Sequence, residues 1–377
     1  MSAEPEPLLI LATSGRALAE SACRGGWRPR VIDAFADEDA RRAADGIIAV
    51  PLASSGLAPE AVLRAAARLC PARGGGVVYG SGIEAQPGLL EELGRGRRLL
   101  GNTAQVLRTV KDPPAFFALL DELAIPHPEV VFRAAAAGPG WLAKRAAGSG
   151  GGHVRPVPAG HVPSAGSYLQ RAAAGQAMSL LFLADGCRSR ALGFNTLWTA
   201  PDVPGRPYLY GGAVSRAALA PKARQAVCVA AAALTRALGL RGLNGLDFIH
   251  DGERGEVLEL NPRPGASFEL YDPETPCGLL KLHVQACGGR LPAGVPARAS
   301  RVRAVSIAYA PRAVRIRPGF AWPAWCRDRP TAGQTIPGGE PICSVYAEAQ
   351  DARRAESEVH ARRKAVLESI AWQREIA

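Results

Sequence analysis

The chain is predicted to be α/β and built from several compact units, and three observations predict it. Residues 8–13 are an apolar run, 16–23 a helical pattern and 30–35 a second apolar run, the order of a βαβ opening. Residues 245–250 and 256–260 flank Asp251-Gly252-Glu253-Arg254-Gly255, a hairpin whose glycines supply the positive φ of a tight turn. Residues 302–308 and 314–316 alternate apolar and polar side chains and precede a charged amphipathic helix over 351–371. A length of 377 residues leaves room for roughly two to four units with ample core.

Composition narrows the class. A hydrophobic share of 47% with 21% charged residues is ordinary for a globular enzyme and excludes a disordered or fibrous chain. The net charge of +11 comes from arginine, since only five of the 45 basic residues are lysines: Lys111, Lys144, Lys222, Lys281 and Lys364. The arginines are spread along the chain without a long basic run, so no nucleic-acid partner is expected, whereas an anionic small substrate is compatible. Eight cysteines in mainly apolar contexts, with no CxxC pair, read as buried reduced thiols and point to the cytoplasm. Residues 1–7 are acidic and lack the basic stretch of a secretory leader, and no apolar run reaches ~18 residues, so no membrane association is expected.

Taken in order, the turn Ala12-Thr13-Ser14-Gly15 lacks Gly-x-Gly-x-x-Gly spacing, which argues against a dinucleotide site, and Asp33 reads as ordinary loop chemistry. A helix over 59–70 with proline at its first position, a strand over 76–79 and the turn Gly80-Ser81-Gly82-Ile83-Glu84 complete the first layer. Asp112 before Pro113 is placed to cap a helix over 114–123. Residues 141–144 read as a strand that carries Lys144 into a glycine loop of Gly148, Ser149, Gly150, Gly151 and Gly152. Without Cβ atoms in the way, such a loop lets backbone N–H groups converge on an anion, and the adjoining lysine adds a point charge. His153 reads as incidental. Residues 167–186 form strand, turn and strand; 221–240 form a helix stopped at Gly239; 279–287 form another, ended by Gly288-Gly289.

The hairpin carries the most specific chemistry. A turn centred on Glu253 sets Asp247 opposite Glu259, with Asn261 on the same face and Leu258 and Leu260 pointing into a core. Facing carboxylates about 4.5–5.5 Å apart at Cβ repel unless a cation lies between them. Two carboxylates and an amide suit magnesium completed by phosphate and water, and Arg263 lies two residues beyond Asn261, within reach of the same phosphates.

The strings Leu-Asp-Phe-Ile at 246–249 and Leu-Glu-Leu-Asn-Pro-Arg-Pro-Gly at 258–265 resemble the metal and phosphate motif of the ATP-grasp superfamily, particularly its biotin-carboxylase-related carboligases. The resemblance implies ATP and one or two Mg2+ ions, with Mn2+ as an alternative. Asp247, Glu259 and Asn261 would hold the metal, and Arg263 would stabilise the transferring phosphoryl group; Asp stands at 247 where many relatives have Glu. Lys111, before a helix ending in Ile-Pro-x-Pro, would contact phosphate. Lys144 would reach the α-phosphate and adenine side, and the glycine loop would close over the nucleotide. Gln170, Arg171 and Ala172 resemble the hinge that meets adenine, with Gln170 in place of the more usual Glu. The amides near Ser81 and the Glu84 carboxylate would border the substrate pocket, although as residues of a glycine-rich turn they read as structural; Asn195, Thr196 and Tyr210-Gly211-Gly212 would fall on the substrate side without assigned roles.

The implied architecture is a Rossmann-like domain preceding the ATP-grasp core over 1–105, a lid subdomain over 106–172, a core with the hairpin over 173–290, and a biotin-carboxylase-like α+β extension over 291–377. The implied reaction is carboxylate–amine ligation through an acyl phosphate with release of ADP. The branch includes ligases that build one-carbon carrier coenzymes of the methanofuran and methanopterin type, among them tyramine–glutamate ligation. Carboxylation through carboxyphosphate is the alternative. A nucleotide-binding protein with a dead site is the third reading, opposed by the intact Lys, Asp, Glu, Asn and Arg set. The C-terminal helix is compatible with a homodimer contact.

Overall fold

The chain is described here by a computed structural model covering residues 5–71, 75–133, 139–200, 202–292 and 301–372. Residues 1–4, part of the acidic N-terminal stretch, and 293–300, just past the expected start of the C-terminal extension, lie outside the described residues.

The N-terminal region is a parallel sheet of β1 (Pro7–Leu11), β2 (Arg28–Asp33), β3 (Gly46–Ala49), β4 (Gly76–Tyr79) and β5 (Arg98–Leu99) in the order β3-β2-β1-β4-β5. Helices α1 (Arg16–Gly25), α2 (Glu38–Ala43), α3 (Pro59–Leu69) and α4 (Pro87–Gly94) connect them. Leu8 to Leu11 are wholly buried, as expected of a central parallel strand covered on both faces. Asp33 accepts N–H groups from Gly15, Phe35 and Ala36, so it organises loops as its sequence context predicts.

Helix α5 (Ala104–Lys111), absent from the sequence expectation, places Lys111 in its last turn; Thr103 caps it by accepting from the Val106 N–H. Helix α6 (Pro113–Glu122) follows without a side-chain cap, so the role expected of Asp112 is not observed. A small antiparallel sheet of β6 (Val130–Val131), β7 (Trp141–Arg145), β8 (Arg155–Val157) and β9 (Ser167–Arg171) comes next, in the order β8-β7-β9-β6.

The largest sheet has eight antiparallel strands: β10 (Gln176–Asp185), β11 (Ser189–Thr199), β12 (Tyr210–Ser215), β13 (Arg241–His250), β14 (Gly255–Asn261), β15 (Val302–Tyr309), β16 (Cys326–Arg327) and β17 (Pro341–Ala349). Their order is β14-β13-β10-β11-β12-β15-β17-β16. Helix α7 (Pro221–Leu238), stopped by left-handed Gly239 with φ 64°, packs on one face, and α8 (Leu279–Cys287) lies against β13 on the other. The C-terminal strands thus continue the same sheet through the β12–β15 pair. Helix α9 (Ala352–Trp372) buries Ala355, Val359, Val366 and Ile370 against them, and the Asp351 carboxylate accepts the Arg354 N–H as a cap should. No disulfide joins the eight cysteines, but the expectation of general burial is corrected: Cys23 and Cys187 are exposed, and only Cys70, Cys326 and Cys343 are fully buried.

Candidate functional site

The hairpin β13–β14 pairs Asp247 with Glu259 and Gly245 with Asn261, the register predicted from the turn. Between Asp247 and Phe248 the register shifts, so Phe248 faces Val257 and Leu258 becomes the extra residue of a bulge. Val257 and Leu260 both enter the core as a result. Leu258, expected there, instead lines a cavity of about 730 Å³.

Asn261 holds the two acids together: its Nδ2 donates to Asp247 Oδ2 and to Glu259 Oε1, each at 3.0 Å. Burial and the neighbouring Glu259 raise the Asp247 pKa well above the carboxylate range. Burial also opposes ionisation of Glu259, but Lys111, with Nζ 3.9 Å from Glu259 Oε2, together with the hydrogen bonds of Asn261 and Asp247 and the charge of Lys144, draws that pKa down.

Arg263, 8% exposed, is fixed from three sides. Its Nε donates to Glu84 Oε1, Nη1 to the Pro264 carbonyl at 3.2 Å and Nη2 to Asn261 Oδ1 at 3.4 Å. Glu84, 3% exposed, also accepts the Gly82 N–H at 2.6 Å. Burial disfavours its charge, yet Arg263 and then Lys111 keep its pKa below the usual value. Glu84 thus acts through Arg263 rather than by facing the cavity.

From the opposite side, β7 and β9 present Lys144 and Gln170, whose side chains are hydrogen-bonded to each other. Burial lowers the Lys144 pKa against the pull of Glu259 and Asp247. Gln170 is buried and its Nε2 has no hydrogen-bond partner. The glycine loop reaches across to the large sheet, where Gly150 O accepts the Tyr210 N–H at 3.0 Å. Gly151, at φ 71°, sits so close that an added Cβ would lie 1.9 Å from Tyr208 O. His153 packs on Gly148, and burial lowers its pKa.

The cavity brings together Lys111, Lys144, Gly148, Ser149, Gly150, Gly151, Gln170, Arg171, Ala172, Asp247, Glu259, Asn261 and Arg263. Gly152 is not on its wall and sits against Leu209. The Arg171 guanidinium turns outward, donating to the Pro139 carbonyl at 2.9 Å and lying over the Trp141 ring, and the Arg171 and Ala172 N–H groups bond the Glu129 and Gly140 carbonyls. Asn195 is structural: its Nδ2 donates to Ser179 Oγ, and its Oδ1 accepts the Tyr271 hydroxyl. Sequence reasoning left Glu269 without a role and passed over Arg16, Asp37, Asp328 and Tyr346: Glu269, Asp328 and Tyr346 line the cavity and bond Arg16, and Asp37 lines the same cavity. They come from opposite ends of the chain, and no local pattern links them.

Among the described residues, no three His, Cys, Asp or Glu side chains gather as a metal site. Asp247 and Glu259 reach three donors only by including Asn261, whose amide oxygen could face them after rotation of the group. An all-oxygen set around two opposed acids fits a hard divalent cation.

The ATP-grasp domain family matches residues 112–267. No curated protein matches the chain in sequence. Solved structures do match in fold. A biotin carboxylase–βγ-ATP complex from Campylobacter jejuni superposes with a TM-score of 0.72 at 16% identity, covering 93% of this chain and 89% of that one. The biotin carboxylase domain dimer of Hydrogenobacter thermophilus 2-oxoglutarate carboxylase, in complex with MgADP, ADP and bicarbonate, gives 0.69 at 13% identity, with 91% and 86% covered. An L-amino acid ligase from Bacillus licheniformis gives 0.67 at 13%, with 96% and 97% covered. Residues 112–267 thus match the ATP-grasp domain family, and the chain as a whole shares the fold of these biotin carboxylase and ligase structures.

Proposed function

We propose that the protein is an ATP-dependent carboxylate–amine ligase: ATP phosphorylates a carboxylate, ADP leaves, and an amine displaces phosphate from the acyl phosphate to form a C–N bond. The observation that carries this reading is the convergence of Asp247, Glu259 and Asn261 with Lys111, Lys144 and Arg263 on one cavity. Catalysis of this kind needs no protein nucleophile; it rests on positioning and charge neutralisation.

Asp247, Glu259 and Asn261 would hold Mg2+, which neutralises phosphate charge when bound. Lys111 and Lys144 flank the acids and bind phosphate oxygens. Gln170 Nε2, buried and unpaired, is a donor for the base or an adjoining phosphate. Arg263, held immobile by Glu84, offers its guanidinium to the transferred phosphoryl group without reorganisation. The glycine loop, already seated on the Tyr208–Tyr210 segment, excludes water that would hydrolyse the intermediate. Gly151→Ala must lift that loop, so ATP affinity is expected to fall about tenfold, or about 1.4 kcal/mol, with folding retained; nucleotide titration checks this.

We further propose four units, at 1–105, 106–172, 173–290 and 291–377, and a homodimer, supported by the dimeric Hydrogenobacter neighbour. Free thiols favour a reducing cytoplasm, and no helix among the described residues is long and apolar enough to cross a membrane. Placement in coenzyme biosynthesis rests on the resemblance to a branch that includes ligases of one-carbon carriers. Carboxylation is the second reading, favoured by the bicarbonate in the same neighbour. An ADP-release screen with Mg2+ over amino acids, amines and bicarbonate separates the two. Ligation predicts release that needs a carboxylate and is coupled to amine consumption. Release driven by bicarbonate alone would overturn it in favour of carboxylation.

A further inference from the structure

The cavity continues past the phosphate-facing residues to an end closed by the turn after β1, the loop between β2 and α2, and the segment around β16. Behind its acidic wall lies Arg16, 1% exposed, bonded to two of the lining acids. Its guanidinium is fully engaged: Nε donates to Asp328 Oδ1 at 2.7 Å, Nη2 to Glu269 Oε1 at 2.6 Å, and Nη1 to Glu20 Oε2 at 3.0 Å. Glu269 also accepts the Tyr346 hydroxyl, and Asp328 accepts Ser14 Oγ at 3.1 Å.

Asp37 stands apart. It lines the same cavity and is 3% exposed; its Oδ1 caps α2 by accepting the Asp39 and Ala40 N–H groups at 2.9 Å, while its Oδ2 has no hydrogen-bond partner. A buried acceptor without a partner is costly, and its natural complement is a donor supplied by a ligand. Burial, then the Asp328 charge, raises the Asp37 pKa to about 7 against the opposing Ala40 N–H and Arg16 charge. A second unpartnered group, the Tyr210 hydroxyl, is buried in the same cavity, where burial, then Tyr309, then Asp247 and Glu269 push its pKa upward. Phe35, 37% exposed, and Ile342 supply apolar wall beside the acids.

We propose that this end of the cavity binds an ammonium group carried on an apolar body, with Asp37 Oδ2 as its direct acceptor and Asp328 and Glu269 supplying the surrounding negative field. As the seat of the amine substrate this rests on the ligase reading; as a cation site it does not. Saturation-transfer NMR on the full chain with Mg2+ and ATP tests it, using benzylamine and its neutral counterpart benzyl alcohol as probes. Benzylamine is expected to bind at least tenfold more tightly than the alcohol. Asp37→Asn, whose amide oxygen still caps α2, is expected to weaken benzylamine at least tenfold at unchanged ATP affinity. Equal binding of the two probes by the native chain, or benzylamine binding untouched by Asp37→Asn, would overturn the site. Selective benzylamine binding with no amine-coupled ADP release sinks the ligase reading and leaves the cation site standing. Amine-coupled release that Asp37→Asn does not alter does the reverse.

Discussion

Glu259→Gln is expected to lower the rate of Mg2+-dependent ADP release by about 10²–10³-fold, the usual effect of losing one preorganised charge at a phosphoryl-transfer site. The substitution keeps the side-chain volume and the hydrogen bond from Asn261, so the thermal midpoint should stay near that of the native chain. Its effect falls on charge: Lys111 loses its anionic partner, and Asp247 becomes the only carboxylate of the set. The requirement for Mg2+ should shift to higher concentration, read by titrating the ion at saturating ATP. Native turnover with an unchanged Mg2+ profile would sink the assignment of this pair to the metal.

Arg263→Met is expected to remove turnover and to cost about 3–5 kcal/mol of stability, because Glu84 is left ionised and buried with its cation gone. The two losses have different origins and can be separated. Adding Glu84→Gln removes the stranded charge and should recover most of the denaturation midpoint without restoring ADP release. Recovery of turnover along with stability would show that Arg263 serves the fold alone. Glu84→Gln by itself should retain the fold but lower the turnover rate, since Arg263 then keeps only its bonds to Pro264 and Asn261.

The hairpin was legible because a two-residue side-chain period and a glycine turn together set which residues face each other, and Asp247 does pair with Glu259. The bulge at Leu258 was not, because neither glycine nor proline marks it; it arises from the need to bury both Val257 and Leu260. Lys111 and Lys144 stood out in a chain with only five lysines, and both line the cavity. Helix α5 was not legible because it is only eight residues long and runs almost directly into α6 at Pro113, leaving Thr103 as its only sequence mark. The acidic end of the cavity was beyond sequence reasoning: Arg16 and Asp328 are 312 residues apart, and their contact has no periodicity to announce it. Glu84 was noticed in its turn, but its partner Arg263 lies 179 residues away.

The continuation of the large sheet into β15, β17 and β16 has a consequence for the chain during its synthesis. Helix α5, the glycine loop and the β13–β14 hairpin are all made before residue 270, so the residues proposed to bind nucleotide can assemble on a chain still attached to the ribosome. Until Val302–Tyr309 emerges, however, β12 is an open edge with Ala213 and Val214 awaiting burial, the kind of edge that invites pairing with another chain. Asp328 and Tyr346 arrive later still, so the pocket is completed only when the last strands close against the first turn. A prematurely terminated product would therefore keep Lys111, Lys144, Asp247 and Glu259 while lacking the cavity wall that Asp328 and Tyr346 supply.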